Sequence, residues 1–208
     1  MFYDRQNVLF NGNNEVKDGR FSLTFAVPKD ISYSDANGLI NLYAVSNDKA
    51  MEASGICDQV KMSGSGPLPH DGAGPNIYCY LNSESFVNGG SVNPTPYFVA
   101  QLNDEDGINT AGSGIGHDLE LIIDGDMTKT YSLNDYFKYD FGSYTTGTVG
   151  YSIPELSYGE HKLLFRAWDI LNNSSTAELT FKVVKGLEPL FFDVEATKNP
   201  ATDRKSVV

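Results

Sequence analysis

Helical periodicity is what this sequence lacks most: no segment carries a sustained 3.6-residue apolar repeat flanked by capping residues. No stretch approaches the roughly 18 apolar residues of a membrane-spanning helix. No basic-then-apolar leader follows Met1, where the chain reads Phe2-Tyr3-Asp4. That start predicts either a cytosolic protein or a piece of a longer exported chain. Basic residues are scarce, 15 Lys and Arg against 27 Asp and Glu. The net charge of -12 argues against nucleic acid and anionic membrane as partners. Cysteine is scarce too. Cys57 and Cys79 have no His or acidic neighbour in a recognisable signature, so neither reads as a nucleophile. Two buried thiols are the preferred reading, while a Cys57–Cys79 disulfide would mark an oxidising compartment.

What the chain has is alternation and aromatic residues. It is 40% hydrophobic with 12 Phe and 12 Tyr in 208 residues, enough for a real core. Residues 20–27 alternate, with Phe21, Leu23, Phe25 and Val27 on one face and Pro28 as the stop. Residues 39–45 and 56–62 read as two more strands. A run of mostly Gly, Pro and Ser then fills 63–75 and predicts a linker. Beyond it, strands are expected at 77–81, 97–102, 119–123, 130–133, 149–153, 162–168 and 177–184. Seven strands at this spacing predict an immunoglobulin-like β-sandwich. Asp124-Gly125 is a tight-hairpin signal. Trp168 is expected in the core. The predicted organisation is all-β: a small β unit at 1–62, truncated from a sandwich; the linker at 63–75; the sandwich at 76–186; and a tail at 187–208 entering a further domain.

The densest chemistry lies at 102–118, L-N-D-E-D-G-I-N-T-A-G-S-G-I-G-H-D. Asp104, Glu105, Asp106 and Asp118 offer the oxygen ligands that Ca²⁺ takes, with Asp169 as a further ligand. The spacing lacks the acidic ladder and terminal Glu of an EF-hand loop. Asp, Asn and Gly are also what ordinary turns use, and turn chemistry is the preferred reading. The calcium set at stake is Asp104, Asp106, Asp118 and Asp169, and no other cofactor is indicated. His117 is expected at a strand start, bonding a turn carbonyl or Asp118. His161 is expected half-exposed, and His70 solvated in the linker. Tyr136, Phe137, Tyr139, Phe141 and Tyr144 could form a stacking patch for carbohydrate or a docking patch for a partner. Rings capping the open end of the sandwich are the preferred alternative.

Ordered blocks of this sequence resemble known proteins. V-K-D-G-R-F-S-L-T-F-A-V-P-K-D-I (16–31) and G-L-I-N-L-Y-A (38–44) resemble the region after the catalytic domain of gingipain-type cysteine peptidases. Within that family they are most similar to the C-terminal signal peptidase, or sortase, of the type IX secretion system. G-P-N-I-Y-C-Y-L-N (74–82), F-V-N-G-G (86–90), P-Y-F-V-A-Q-L-N-D-E-D-G-I-N (96–109), G-S-G-I-G-H-D (112–118), L-N-D-Y-F (133–137) and F-R-A-W-D-I-L-N-N-S-S-T-A (165–177) follow in the same order. N-P-A-T (199–202) resembles the entry to a C-terminal sorting-type domain.

The resemblance implies a periplasmic or outer-surface protein of a Gram-negative cell. Its parent would cut the sorting domain from exported cargo and pass the cargo to a lipopolysaccharide anchor, using a Cys–His pair in a separate α/β domain. This chain has no such domain, so no catalytic residue is assigned and the chain itself is expected to be inactive. The expected role is spacing or docking. Expected partners are the other domains of the parent, type IX secretion components or sorting-domain cargo. A free-standing carbohydrate-binding or adhesion module is the alternative. A structural array of immunoglobulin-like repeats in another exported protein is a third class.

Overall fold

The computed structural model describes residues 8–29, 31, 36–62, 72–112 and 116–187. The chain is all-β. Its strands are β1 (Gly38–Val45), β2 (Glu52–Val60), β3 (Asn76–Leu81), β4 (Ser91–Val92), β5 (Tyr97–Asn103), β6 (Glu120–Ile123), β7 (Thr130–Ser132), β8 (Phe137–Tyr139), β9 (Thr146–Ser152), β10 (Gly159–Trp168) and β11 (Ser174–Val183). They form three sheets, ordered β1-β2, β4-β11-β10-β6-β7 and β3-β5-β9-β8.

The five-stranded and four-stranded sheets face each other across one core. Along β10, His161, Leu163, Phe165 and Ala167 are buried, while Lys162, Leu164, Arg166 and Trp168 point outward. That period of two follows from the pleat, which sends successive side chains to opposite faces. Leu121 and Ile123 of β6, with Phe181 and Val183 of β11, complete this inner face. The opposing sheet contributes Leu81, Phe98, Ala100, Leu102 and Val149. Phe98 and Phe165 meet across the gap with ring centroids 5.2 Å apart at 54°. Trp168 therefore lies on the outer face, half-buried, and is not the core residue expected.

Three of the four outermost strands of these two sheets are short, β3 with six residues being the exception. β4 spans two residues and pairs in parallel with β11, and β7 and β8 span three each. Short outer strands limit unpaired backbone at the rim. β4 and β8 were not foreseen, because two- and three-residue strands have no readable period. The β6–β7 turn matches its signal: Asp124 and Gly125 both take positive φ, 57° and 67°.

Among the described residues up to 62, the strands are β1 and β2. Residues 20–27 form no strand, and Phe21, Leu23 and Phe25 are exposed. Alternation gives a strand only when a neighbour pairs with it. This segment instead runs along the sandwich. Phe10 stacks on Tyr139 at 4.8 Å and on Phe25 at 5.4 Å. The amides of Gly142 and Lys29 donate to the carbonyls of Asn13 (2.9 Å) and Ile170 (2.8 Å). β1 and β2 form an isolated antiparallel ribbon whose residues are all exposed or half-exposed. Residues 63–71 of the expected 63–75 linker, with His70, and residues 188–208 of the expected tail lie outside the described residues.

The two regions should respond differently to truncation. Phe165→Ala is expected to lower the unfolding free energy by about 3–5 kcal/mol in urea titration. Ile56→Ala, on the ribbon and 75% exposed, should change it by less than about 0.5 kcal/mol. Comparable losses from both would place a core in the ribbon and contradict this architecture.

Candidate functional site

The acidic loop folds back on the corner after β10. Asp104, Asp106 and Asp169 bring carboxylate oxygens within 4.8 Å of one another. Asp118 is not part of this group. Its Oδ1 accepts from Asn134 Nδ2 at 2.7 Å, and Asn134 Oδ1 accepts from the Leu119 amide at 2.8 Å, which ties 118–119 to Asn134. Glu105 is exposed. The calcium set expected from sequence thus divides into a cluster of three and one separate loop anchor.

Backbone pairing makes the cluster. The Ile108–Asp169 bridge joins the loop to the corner, and the Asn109 and Ile170 amides donate to the Trp168 (2.9 Å) and Gly107 (3.1 Å) carbonyls. Gly107 takes φ 115°, and a Cβ there would meet the Tyr144 ring at 3.0 Å, so glycine is required. Within this frame each buried carboxylate holds its own turn. Asp104 Oδ1 accepts from the Asp106 (2.9 Å) and Gly107 (3.1 Å) amides. Asp169 Oδ1 accepts from the Leu171 (2.9 Å) and Asn173 (2.7 Å) amides, and Oδ2 from Asn173 Nδ2 at 2.6 Å. These are the side-chain-to-backbone bonds that make Asp a turn residue.

Burial pushes the Asp104 carboxyl up to about 6, from an ordinary 3.8. The amides of Asp106 and Gly107 oppose the shift, and the neighbouring Asp169 and Asp106 charges add to it. Three carboxylates this close can share a proton or hold a hard cation. The turn bonds account for Asp104 and Asp169 without an ion.

The aromatic segment does not present one face. Phe137 is in the core and meets Tyr139 edge-on at 4.8 Å. The Tyr139 hydroxyl donates to the Ile108 carbonyl at 2.8 Å, tying β8 to the acidic loop. Tyr136 and Phe141 are exposed, and Tyr136 packs edge-on against Tyr151 at 5.0 Å. Phe137 and Tyr139 therefore serve the fold. Cys57 and Cys79 are free thiols and form no disulfide: they sit on different sheets, the ribbon and the sandwich. Burial pushes the Cys79 thiol up to about 11, away from the lowered thiol that a nucleophile needs.

Sequence reasoning missed the histidine environments. The His117 ring lies against the Trp168 ring, with centroids 4.3 Å apart. His161 is buried, contrary to expectation, and its ring stacks on Phe181 at 5.6 Å. Its Nδ1 is 2.8 Å from Asp124 Oδ2 and its Nε2 is 2.8 Å from the Ser157 carbonyl. Both ring nitrogens thus face an oxygen, so the imidazole is held at two points between the β6–β7 turn and the strand start. Burial raises the Asp124 carboxyl, but the Lys162 amide and His161 outweigh it and hold the group below its ordinary range. The signal was available: Asp124 and His161 fall in a hairpin turn and at a strand start, which antiparallel pairing of β6 with β10 brings together.

The raised Asp104 carboxyl has a signed consequence. Between pH 3.8 and about 6 the folded state holds a proton that the unfolded chain has released. This contribution is complete below 3.8 and is lost as pH rises through 6. Asp104→Asn, which keeps the turn acceptor and removes the charge, should raise stability at pH 7.5 by on the order of 1 kcal/mol and flatten the pH dependence. Thermal melts from pH 4 to 8 measure it. A wild-type midpoint raised by millimolar CaCl2, with no rise in Asp104→Asn, would instead assign the cluster to a cation.

Among solved structures, the chain is similar to dimeric latent PorU from Porphyromonas gingivalis. The identity is 41%, with 79% of this chain covered, 16% of that chain covered and a TM-score of 0.57. The chain thus spans about a sixth of that protein's length. The endo-β-1,4-mannanase from Thermotoga petrophila aligns over 52% of this chain and 20% of that chain, at 12% identity and a TM-score of 0.35, too remote to bear on function. No protein-family profile and no curated protein matches the chain. Identity at this level over most of the chain leaves one reading: the chain is related to a PorU-like region.

Proposed function

We propose that this chain is a non-catalytic β-sandwich region of a type IX secretion sortase-like cysteine peptidase, spacing the catalytic domain at the surface of a Gram-negative cell. The 41% identity to PorU over 79% of the chain carries the reading. The ordered sequence blocks from 16 to 177 are where the resemblance is carried. In this reading 76–186 is an immunoglobulin-like module, and the exposed β1–β2 ribbon belongs against other parts of the parent chain. The partners are the parent's other domains, with secretion components or sorting-domain cargo as further candidates.

The chemistry within the described residues agrees with a non-catalytic role. Cys79 is held in its protonated form by burial, and His161 is committed to Asp124 and the Ser157 carbonyl. The buried carboxylates hold turns. What the fold offers is a stiff body with acidic loops and short outer strands, which suits a spacer.

Two measurements test this. The purified 208-residue chain should hydrolyse no fluorogenic peptide above the blank. Hydrolysis that disappears in Cys57→Ala or Cys79→Ala would contradict the assignment. In the full-length parent, an unrelated sandwich of equal length in place of 76–186 should keep cargo processing within about threefold of the original, a small change on the activation scale. Processing abolished by the exchange, in a protein still able to cleave small peptides, would show docking and not spacing.

A further inference from the structure

The outer face of the four-stranded sheet carries chemistry that the fold does not use. Ile77, Cys79 and Leu81 of β3 turn toward the core, so Asn76, Tyr78 and Tyr80 turn away from it. On β5, Phe98, Ala100 and Leu102 point inward, leaving Tyr97, Gln101 and Asn103 outside. Register aligns these side chains in rows: Tyr78 with Gln101 and Thr148, and Asn76 with Asn103 and Thr146.

The rows form a built hollow. Tyr78 and Tyr80 lie with ring centroids 5.7 Å apart at 52°. Tyr97 crosses β9 at Gly150, where any Cβ would strike its hydroxyl. Tyr78 and Tyr97 are 52% and 45% exposed, large areas of aromatic surface left in water. Of these rings Tyr78 lines a depression of about 540 Å³, together with Asn76, Gln101, Asn103, Thr146, Thr148 and Asp140. Gln101 Nε2 donates to Glu84 Oε1 at 3.3 Å at the rim, which fixes the amide's direction.

Three features identify the ligand class. Amides and hydroxyls both donate and accept, which matches a ligand dense in hydroxyl groups. Aromatic faces beside them match the C–H faces of pyranose rings. The lining holds one acid, Asp140, and no base, so an anionic ligand gains nothing there. A protein partner would want an apolar, desolvated centre; here the centre is amide and threonine and the rings are peripheral. The volume lies within the range of small-molecule sites.

We propose that this hollow binds a neutral glycan chain, with Tyr78 stacking on a sugar ring and Gln101 and Asn103 bonding its hydroxyls. The site shares Asp140 with the 136–141 segment but none of that segment's rings, and it does not depend on the spacer role.

Isothermal titration of the 208-residue chain with linear neutral hexasaccharides (gluco-, manno-, xylo- and galacto-series) tests it, with an oligogalacturonate as the anionic control. At least one neutral probe should bind saturably. Tyr78→Ala and Gln101→Ala should each weaken it about fivefold or more, the scale of one ring or hydrogen-bond contact. Tyr158→Ala, a 63% exposed ring outside the hollow, should leave it unchanged. Thermal melts check that each variant is folded, and Gln101→Glu, which keeps the shape, reads the site if Tyr78→Ala is not. No saturable binding at millimolar probe would overturn the proposal. So would binding indifferent to Tyr78 and Gln101, or preference for the oligogalacturonate.

Discussion

The inter-sheet contact centred on Phe98 and Phe165 is the constraint from which the rest follows. Both rings are fully buried and belong to opposite sheets. For them to meet, β5 and β10 must hold their alternation in phase, which sets the faces of β6, β9 and β11 by register. A slip of one residue would turn Leu163, Phe165 and Ala167 to solvent and bury Lys162 and Arg166. Once the faces are set, the corners are set as well. The loop after β5 and the turn after β10 arrive at the same end, and their acids close on each other.

That geometry explains why the acidic loop looks like a site and behaves as a corner. Asp104 and Asp169 bond the amides that the reversing chain leaves unpaired. Buried acceptors of this kind keep irregular backbone satisfied without a regular strand. The cost is proximity of like charges, expressed as the raised Asp104 carboxyl. A second corner, at Asp124 and His161, solves the same problem by pairing a carboxylate with an imidazole.

Strands with long alternating runs were readable in advance. β10 and β11 each span ten residues and lie where strands were expected, although on β10 the buried position is His161 and Trp168 faces outward. β4 and β8 were not, because two or three residues carry no period. Residues 20–27 show the converse error: a good alternation with no partner strand, laid against the sandwich by Phe10 and the Lys29 amide. Of the proposed metal ligands, Asp104, Asp106 and Asp169 come together because Ile108 bridges to Asp169, a pairing 61 residues apart that no local pattern announces. Asp118 was grouped with them by sequence proximity, and Asn134 holds it elsewhere. Phe137 and Tyr139 were placed on a loop and not on a strand, because β8 is too short to carry a period.

The relation to PorU gives the sandwich a context, and its core explains how such a piece keeps its shape. The most direct measure of the central claim is residue-resolved amide hydrogen exchange on the intact chain. The account predicts slowest exchange at the centres of β5, β6, β9 and β10, and fast exchange throughout Gly38–Val45 and Glu52–Val60. Protection in that ribbon equal to protection in β10 would show a second core and contradict the dependence of this fold on the Phe98–Phe165 interface.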